Sequence, residues 1–339
     1  MTMSKYINHR FEAEMLADEH LKTQAQFEHN PPQFNQAIID DVLQSLTLPQ
    51  KELCAKYFYD AKGSALFEQI CDLDEYYPFK SEMAMLPSVA QALSQKFSQD
   101  IDVIEFGAGA SVKIKSLFNH IPQIKRYLPI DISGEHLRSA AKKLKAAYPS
   151  VEILPIEADF TQKVKLPTLT NHIKLGFFPG STIGNFDKNL ALDFLNQVRR
   201  SVGKGGYLLI GVDTKKSASV LHQAYNDKQG VTKAFNLNIL NHLNQQAGAN
   251  FELAQFEHYA FYNPVKSRIE MHLVSKKNQV VCIGGHNIHI AEGESIHTEN
   301  SYKYNRQDFM HLSAKAGWKI NQQWVAPNNQ FSLYLLSTS

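Results

Sequence analysis

An apolar run, Val103, Ile104 and Phe106, breaks at Gly107 and again at Gly109, within Asp-Val-Ile-Glu-Phe-Gly-Ala-Gly-Ala-Ser. Glycines at the turn after a buried strand let the backbone approach a bound nucleoside, because no Cβ intervenes. An ordinary strand-to-helix turn has the same form. A dinucleotide fingerprint needs a third glycine, and Val112 occupies that position, which disfavours a pyrophosphate seat. Glu105, just before the first glycine, suits a ligand with a cationic or amino-acid end. S-adenosylmethionine fits, since it carries a sulfonium and an α-amino group and no phosphate.

Two further acids stand where apolar runs end. Asp131 closes Tyr-Leu-Pro-Ile-Asp, 24 residues past Gly107, and a carboxylate there can accept from both ribose hydroxyls; the lesser alternative is an acid at a helix N-terminus. Asp159 and Phe160 end a third run. The acid suits an adenine amino group and the ring suits an adenine face. A glycine turn, an acid and an acid-aromatic pair in this order favour an adenosine cofactor without phosphates.

A fourth run leads into Phe177-Phe178-Pro179-Gly180-Ser181-Thr182-Ile183-Gly184-Asn185-Phe186. Asn185 offers a donor and an acceptor without titrating, so it can hold a carboxylate or an amine; the alternative is a turn Asn that stabilises its own backbone. The histidines suggest no metal. His286 and His289 are three apart, so on a strand they face opposite sides, and neither they nor His297 form a ligand pattern. Cys54, Cys71 and Cys282 are widely separated, which gives neither a disulfide framework nor a metal motif. No bound metal is expected.

The elements that must position these residues follow a strand–helix alternation from about 80 to 214. Strands are expected at 102–106, 127–132, 151–156, 173–178 and 206–212. A helix is expected over 135–148, where Leu137, Ala140, Ala141, Leu144 and Tyr148 recur at helical spacing behind Ser133 as N-cap. Repeated βα units with near-continuous apolar strands imply a doubly wound parallel sheet, with ligands at the strands' carboxyl ends. Residues 217–247 read as helical. The stretch 268–274 alternates as a half-buried strand, and 279–290 continues strand-like. A helix at 305–316 and two last strands resemble the way the sheet of S-adenosylmethionine-dependent methyltransferases often ends, and that resemblance implies an antiparallel final strand. The expected organisation is an arm at 1–35, a substrate lobe built from 36–79 and an insertion at 215–303, and a Rossmann-like methyltransferase domain built from 80–214 and 304–339.

The chain has 339 residues, 43% of them hydrophobic, and a net charge of +2. That balance gives no reason to expect nucleic acid or an anionic membrane as partner. Met-Thr-Met-Ser-Lys-Tyr lacks the apolar core of a signal peptide, and no stretch nears the ~20 apolar residues of a membrane span. A cytoplasmic, monomeric enzyme acting on a small molecule is the expectation.

From about residue 36 onward the chain resembles the histidine Nα-methyltransferases of ergothioneine biosynthesis. The resemblance is carried by Lys56-Tyr57-Phe58-Tyr59-Asp60 with Gly63-Ser64 and Leu66-Phe67, by Glu75-Tyr76-Tyr77-Pro78, by the loop 107–113, by Pro129-Ile130-Asp131-Ile132-Ser133 and by the segment ending at Phe186. Gly230-Val231-Thr232 with Phe235-Asn236, Ser267-Arg268-Ile269-Glu270-Met271, and Ile296-His297-Thr298-Glu299-Asn300-Ser301-Tyr302-Lys303-Tyr304 extend it. The resemblance implies that S-adenosylmethionine, released as S-adenosylhomocysteine, methylates the α-amino group of L-histidine three times to give hercynine. It implies Gly107, Lys113, Asp131, Asp159 and Phe160 at the cofactor, and Tyr59 as the catalytic hydroxyl beside both cofactor and reacting amine. It implies Asn185 and Tyr225 at the substrate carboxylate, and Tyr76, Met271, Glu299 and Ser301 around the imidazole. The family often has Thr-Arg after Tyr-Tyr-Pro, where this chain has Phe79-Lys80; local packing or an ion pair must differ there. Competing readings are the same fold acting on tryptophan or a thiolated histidine, and a non-catalytic module that binds S-adenosylmethionine.

Overall fold

A computed structural model of the protein describes residues 34–168 and 170–338; most of the expected N-terminal arm lies outside them. The chain opens with helix α1 (Gln36–Leu46), the short strand β1 (Lys51–Glu52), a 3-10 turn (Ala55–Phe58), α2 (Ala61–Asp72) and the long α3 (Tyr77–Lys96). The alternating part follows as β2 (Ile101–Phe106), α4 (Ile114–His120), β3 (Ile124–Asp131), α5 (Gly134–Ala147), β4 (Glu152–Ile153), β5 (Ile156–Glu157), β6 (Ile173–Phe178), a second 3-10 turn (Thr182–Asn185), α6 (Lys188–Val202) and β7 (Tyr207–Asp213). Then come α7 (Ala218–Tyr225), α8 (Val231–Gln246), β8 (Phe256–Asn263), β9 (Arg268–Ser275), β10 (Gln279–Ile283), β11 (His286–Ile290) and β12 (Ser295–Tyr302). Helix α9 (Arg306–Lys315), β13 (Lys319–Val325) and β14 (Phe331–Ser337) close the chain.

The large sheet runs β13-β14-β7-β6-β2-β3-β4, with β5 also on β3. Strands β7, β6, β2 and β3 are mutually parallel, and β14 lies antiparallel to β7. Every residue of the central β2 is buried, as a strand covered on both faces must be. One hydrophobic cluster lies on each face: one includes Leu86, Val103, Tyr127 and Phe331, the other Ile104, Phe178, Phe194 and Trp318. Each fully buried Phe or Leu contributes about 2 kcal/mol of transfer free energy. The sheet is thus the rigid frame from which loops at the strand ends project.

A smaller sheet runs β1-β12-β9-β8. Its inner face and helices α1, α2, α7 and α8 share one hydrophobic cluster, in which Val42, Phe58 and Ile70 meet Leu221, Phe235, Ile239, Met271 and Ile296. The two sheets are tied where β12 runs out: Tyr304 bridges Thr214 at the end of β7.

Two expectations need correction and a third gains detail. The strand expected over 151–156 is two short strands, β4 and β5, because Pro155 between them has no N–H to give to the ladder. The helix expected over 217–247 breaks at 226–230. There Asn226 Nδ2 donates to the His222 carbonyl at 2.9 Å in the last turn of one helix, and Asp227 accepts from the backbone N–H groups of Val231 and Thr232 at 2.9 and 2.8 Å, capping the next. The stretch 279–290 is a hairpin folded over Gly284 and Gly285, both at positive φ.

Candidate functional site

The cofactor candidates gather along the carboxyl ends of β2, β3 and β5. Gly107 has φ +73° and Gly109 has φ +48°. A Cβ on Gly107 would stand 3.1 Å from the Phe160 ring, whereas nothing among the described residues lies within 4 Å of the corresponding position on Gly109. The turn is therefore packed on one side and open on the other. Asp131 Oδ2 accepts from Gly109 N, and Oδ1 from Ser133 N, both at 2.9 Å. Ser133, expected to cap α5 with its side chain, makes no such bond; its backbone N–H is held by Asp131 instead. Each carboxylate oxygen keeps a free lone pair for a ribose hydroxyl.

Asp159 Oδ1 accepts from Thr161 N and Oγ1 at 2.8 and 2.6 Å, and Oδ2 has no hydrogen-bond partner among the described residues. Phe160 is half-buried against Phe178, Phe194 and Phe186. Lys113 Nζ pairs at 2.6 Å with the buried Glu82, which also accepts from Gly180 N. The ammonium sits 5.3 Å from the Phe79 ring centroid, while Lys80 pairs with Asp74 on the surface. The Phe79-Lys80 departure therefore places a ring beneath Lys113. An open glycine turn, a ribose-competent carboxylate and a ring at the next strand end fit S-adenosylmethionine.

All seven substrate candidates line a single cavity: Tyr59, Tyr76, Asn185, Tyr225, Met271, Glu299 and Ser301. Of the six cofactor candidates, Tyr59, shared between the two groups, lines it, and Gly107, Lys113, Asp131, Asp159 and Phe160 do not. The two groups meet at Gly180, which lines the cavity and whose Cβ position lies 3.0 Å from Lys113 Nζ.

Local chemistry explains how each side chain arrives. Asp60 accepts from Gly63 N at the head of α2 and from Asn238 Nδ2 of α8, at 2.6 and 2.8 Å. This fixes Tyr59 beside it, edge-on to Phe67 and Phe235. Asn185 ends the 3-10 turn whose Gly184 lies against the Tyr302 backbone. Glu299 and Ser301 alternate on β12, and Glu299 stands opposite Met271 on β9, beyond a register shift between His297 and Glu299. Among the described residues, no hydrogen bond reaches the side chains of Tyr59, Tyr76, Asn185 or Glu299. Polar groups without partners on one cavity wall are a ligand's complement.

The floor of the cavity is ionic. Asp213, fully buried at the end of β7, pairs with Lys303 Nζ at 2.7 Å and Lys216 Nζ at 2.6 Å, and accepts from Tyr77 Oη at 2.7 Å. Burial alone would raise its pKa, but Lys303 and Lys216 outweigh that and hold it below the usual carboxylate value. Lys303 is raised above its ordinary value: burial opposes the charge, and Asp213 overcomes it. Burial pushes Lys216 down to about 8 despite Asp213. Burial pushes Glu299 up to about 7, partly countered by Lys303. Burial first, and then the Glu299 charge, raise Tyr59 well above 10, so it stays a phenol and acts as a hydrogen-bonding group rather than a phenolate base.

Asp213 and Lys303 were missed by sequence reasoning. Asp213 carries the same signal as Asp131, an acid closing an apolar strand. Lys303 continues the period-two series Glu299, Ser301. Glu270, His272 and His297 also gather, with ligating atoms within 4.8 Å of one another, on the face of β9 opposite Met271. Their atoms are already engaged: Arg268 and Asn263 donate to Glu270, His272 meets Ser295 and Glu270, and His297 meets the Glu299 carbonyl. His286 and His289 are exposed on β11.

A parallel sheet of this order, closed by an antiparallel strand and carrying an open glycine turn with acids at the next strand ends, defines an S-adenosylmethionine-dependent methyltransferase. The sequence profile of the histidine-specific, S-adenosylmethionine-dependent methyltransferases matches residues 38–338. The chain belongs to that family and is an S-adenosylmethionine-dependent N-methyltransferase. It is 35% identical over 306 residues to the histidine N-alpha-methyltransferase of Mycolicibacterium smegmatis, covering 88% of this chain and 94% of that one. It is 26% identical over 309 residues to ergothioneine biosynthesis protein 1 of Neurospora crassa, covering 85% of this chain and 33% of that protein. It is 23% identical over 317 residues to a 4-dimethylallyltryptophan N-methyltransferase of Aspergillus fumigatus, covering 88% and 93%.

Proposed function

We propose that this enzyme transfers methyl groups to the α-amino group of L-histidine three times, giving Nα,Nα,Nα-trimethylhistidine, the first step of ergothioneine formation. The observation that carries the reading is the Glu299 carboxylate, facing the cavity beside Ser301 and Met271 without a partner among the described residues. An imidazole N–H supplies the donor it lacks, and a ring without one leaves a half-buried carboxylate unpaired. Kinship with a histidine N-alpha-methyltransferase and an ergothioneine biosynthesis protein supports the same substrate and pathway.

When bound, S-adenosylmethionine supplies an already activated methyl group. The chain's own residues then have to hold the amine in line and exclude water. Asn185 and Tyr225 hold the substrate carboxylate, and Tyr76, Met271, Glu299 and Ser301 enclose the ring. An α-amino group titrates near ~8 in peptides and somewhat higher in a free amino acid, so a modest fraction of the substrate already carries a free lone pair and a strong base is not obligatory. Tyr59 orients that lone pair and passes the departing proton toward water. The unit built from 36–79 and 215–303 serves as the substrate lobe over the methyltransferase domain.

The 4-dimethylallyltryptophan relative motivates a second reading, an indole amino acid as substrate. Incubating the protein with S-adenosylmethionine and the twenty amino acids, then weighing the products by mass spectrometry, decides between them. Histidine gaining up to three methyl groups is expected; methylated tryptophan, or no methylated amino acid, would overturn the reading.

A further inference from the structure

Strand β12 carries one residue more than its partner can match. His297 stands opposite His272 and Glu299 opposite Met271, so Thr298 is the extra residue of a β-bulge. Side chains alternate along a strand. In unbroken register Thr298 would oppose Met271, and Glu299 would oppose Glu270 and turn away from the cavity. The bulge reverses the phase: Glu299 and Ser301 line the cavity, while Asn300 and Tyr302 stand opposite Glu270 and Arg268. A slip of one residue here would undo the substrate wall.

The bulge is tied from behind. Thr298 Oγ1 lies 2.7 Å from Asn236 Oδ1 and 3.1 Å from the Met271 carbonyl. Both oxygens only accept, and the single hydroxyl proton goes to the nearer one, on Asn236. The Asn236 NH2 donates to the His272 carbonyl at 3.0 Å and to His258 Nδ1 at 2.9 Å. An accepting Nδ1 leaves the His258 proton on Nε2, which donates to the Tyr225 carbonyl at 3.0 Å. Burial lowers the His258 pKa, which favours the neutral ring that this pattern requires. Every proton in the chain thus has one acceptor. Thr298 and Asn236 are buried, and none of Thr298, Asn236 and His258 lines the cavity.

The two ends of this chain lie beside the two ends of the substrate. Thr298 precedes Glu299, at the ring. His258 holds the last carbonyl of α7, which belongs to Tyr225, at the carboxylate; it engages the Tyr225 backbone and leaves the hydroxyl alone. We propose that Asn236 is a positioning residue that fixes the span between Glu299 and Tyr225, through Thr298 at one end and His258 at the other. The proposal rests on histidine being the substrate.

The test measures dissociation constants for S-adenosylhomocysteine alone and, with it bound, for histidine and for β-(2-thienyl)alanine, a similar ring without nitrogen. Thr298→Val keeps the shape and removes the hydroxyl. It is expected to lower the preference for histidine about tenfold, the weight of one hydrogen bond, because Glu299 loses its aim. The bulge keeps a second tie, His297 Nε2 to the Glu299 carbonyl at 3.1 Å. Thr298→Ser keeps the hydroxyl and is expected to hold the preference to within about threefold. His258→Phe releases the carboxylate end, so both amino acids should weaken together, by about fivefold, with their ratio kept. Asn236→Ala should combine the two losses. S-adenosylhomocysteine, whose candidate residues lie elsewhere, should bind every variant to within about twofold.

A role in folding alone would weaken all three ligands alike, and that result overturns the proposal. An unmoved ratio in Thr298→Val overturns it as well. His258 is half-buried, so its replacement decides the matter should Thr298→Val not fold: unchanged affinities for both amino acids in His258→Phe overturn the proposal. Turnover of histidine by the unaltered enzyme is measured alongside. Its absence sinks the substrate reading and this inference together, whereas turnover with unmoved affinities in the variants sinks this inference alone.

Discussion

Gly184 lies so close to the backbone of Tyr302 that a Cβ would stand 2.8 Å from the Tyr302 carbonyl oxygen and 3.2 Å from its nitrogen. The obstacle is backbone on a paired strand, which cannot swing aside. This contact brings the 3-10 turn carrying Asn185 against the strand carrying Glu299 and Ser301. Gly184→Ala is expected to destabilise the protein by about 1–3 kcal/mol through overpacking. It is also expected to raise KM for histidine far more than the dissociation constant for S-adenosylhomocysteine, whose candidate residues lie elsewhere. Thermal melts and the two binding measurements check it; equal losses for both ligands would mean that the turn does not act through Asn185.

Tyr59 has no hydrogen-bond partner among the described residues, and burial keeps it protonated. A group that only orients the amine and shares its proton affects the reaction step more than cofactor binding. Tyr59→Phe keeps the ring's contacts with Phe67 and Phe235 and removes only the oxygen. We expect kcat with histidine to fall about 10- to 100-fold, at the low end of what a positioned proton-handling group contributes, while S-adenosylhomocysteine affinity changes little. An unaltered kcat would remove Tyr59 from the mechanism.

The sheet was legible because its strands are apolar throughout: 102–106 and 173–178 appear within a residue of their expected ends. The cofactor edge was legible for the same reason, since Gly107, Asp131 and Asp159 punctuate those runs. The break between α7 and α8 was not, because Asn226 closes one helix and Asp227 caps the next within a stretch whose helical periodicity continues across it. The substrate wall was readable only through family likeness: Tyr59, Tyr225 and Glu299 are far apart in sequence, and each reads alone as packing or as a surface charge. The Asp213–Lys303 pair escaped even that. A lysine is normally a surface residue, and nothing local in the sequence says that this one is buried.

The raised pKa of Glu299 has a consequence for stability. The folded chain holds this proton up to about pH 7, whereas an unfolded chain releases it near 4.5. The folded state binds more protons between those values, so stability falls as pH rises through that window, and the cost is complete above it. Glu299→Gln removes the ionisation. It is expected to melt a few degrees higher than the unaltered protein at pH 8, consistent with a relief on the order of 1–3 kcal/mol, and to differ little at pH 4.5. It should also lose most activity toward histidine. Scanning fluorimetry at the two pH values tests the stability half; a gain that was equal at both would show that Glu299 does not titrate as described.

Asp131 does two jobs with one carboxylate. Its oxygens already hold Gly109 N and Ser133 N at 2.9 Å, which shapes the turn after β2 and the head of α5. The remaining lone pairs face the two ribose hydroxyls expected there. Asp131→Ala removes both sets of bonds, and S-adenosylhomocysteine affinity should fall about 30- to 100-fold, as for hydrogen bonds to a charged group. Asp131→Asn keeps the shape of the side chain and impairs both jobs. An amide keeps one oxygen for a backbone N–H, but its NH2 cannot accept from the other. The Asn variant should therefore bind the cofactor product nearly as poorly as the Ala variant. Histidine affinity, measured with the cofactor product saturating, should move little in either. If Asn bound S-adenosylhomocysteine as well as the unaltered protein, the carboxylate would be dispensable and the ribose would have to be held by another group.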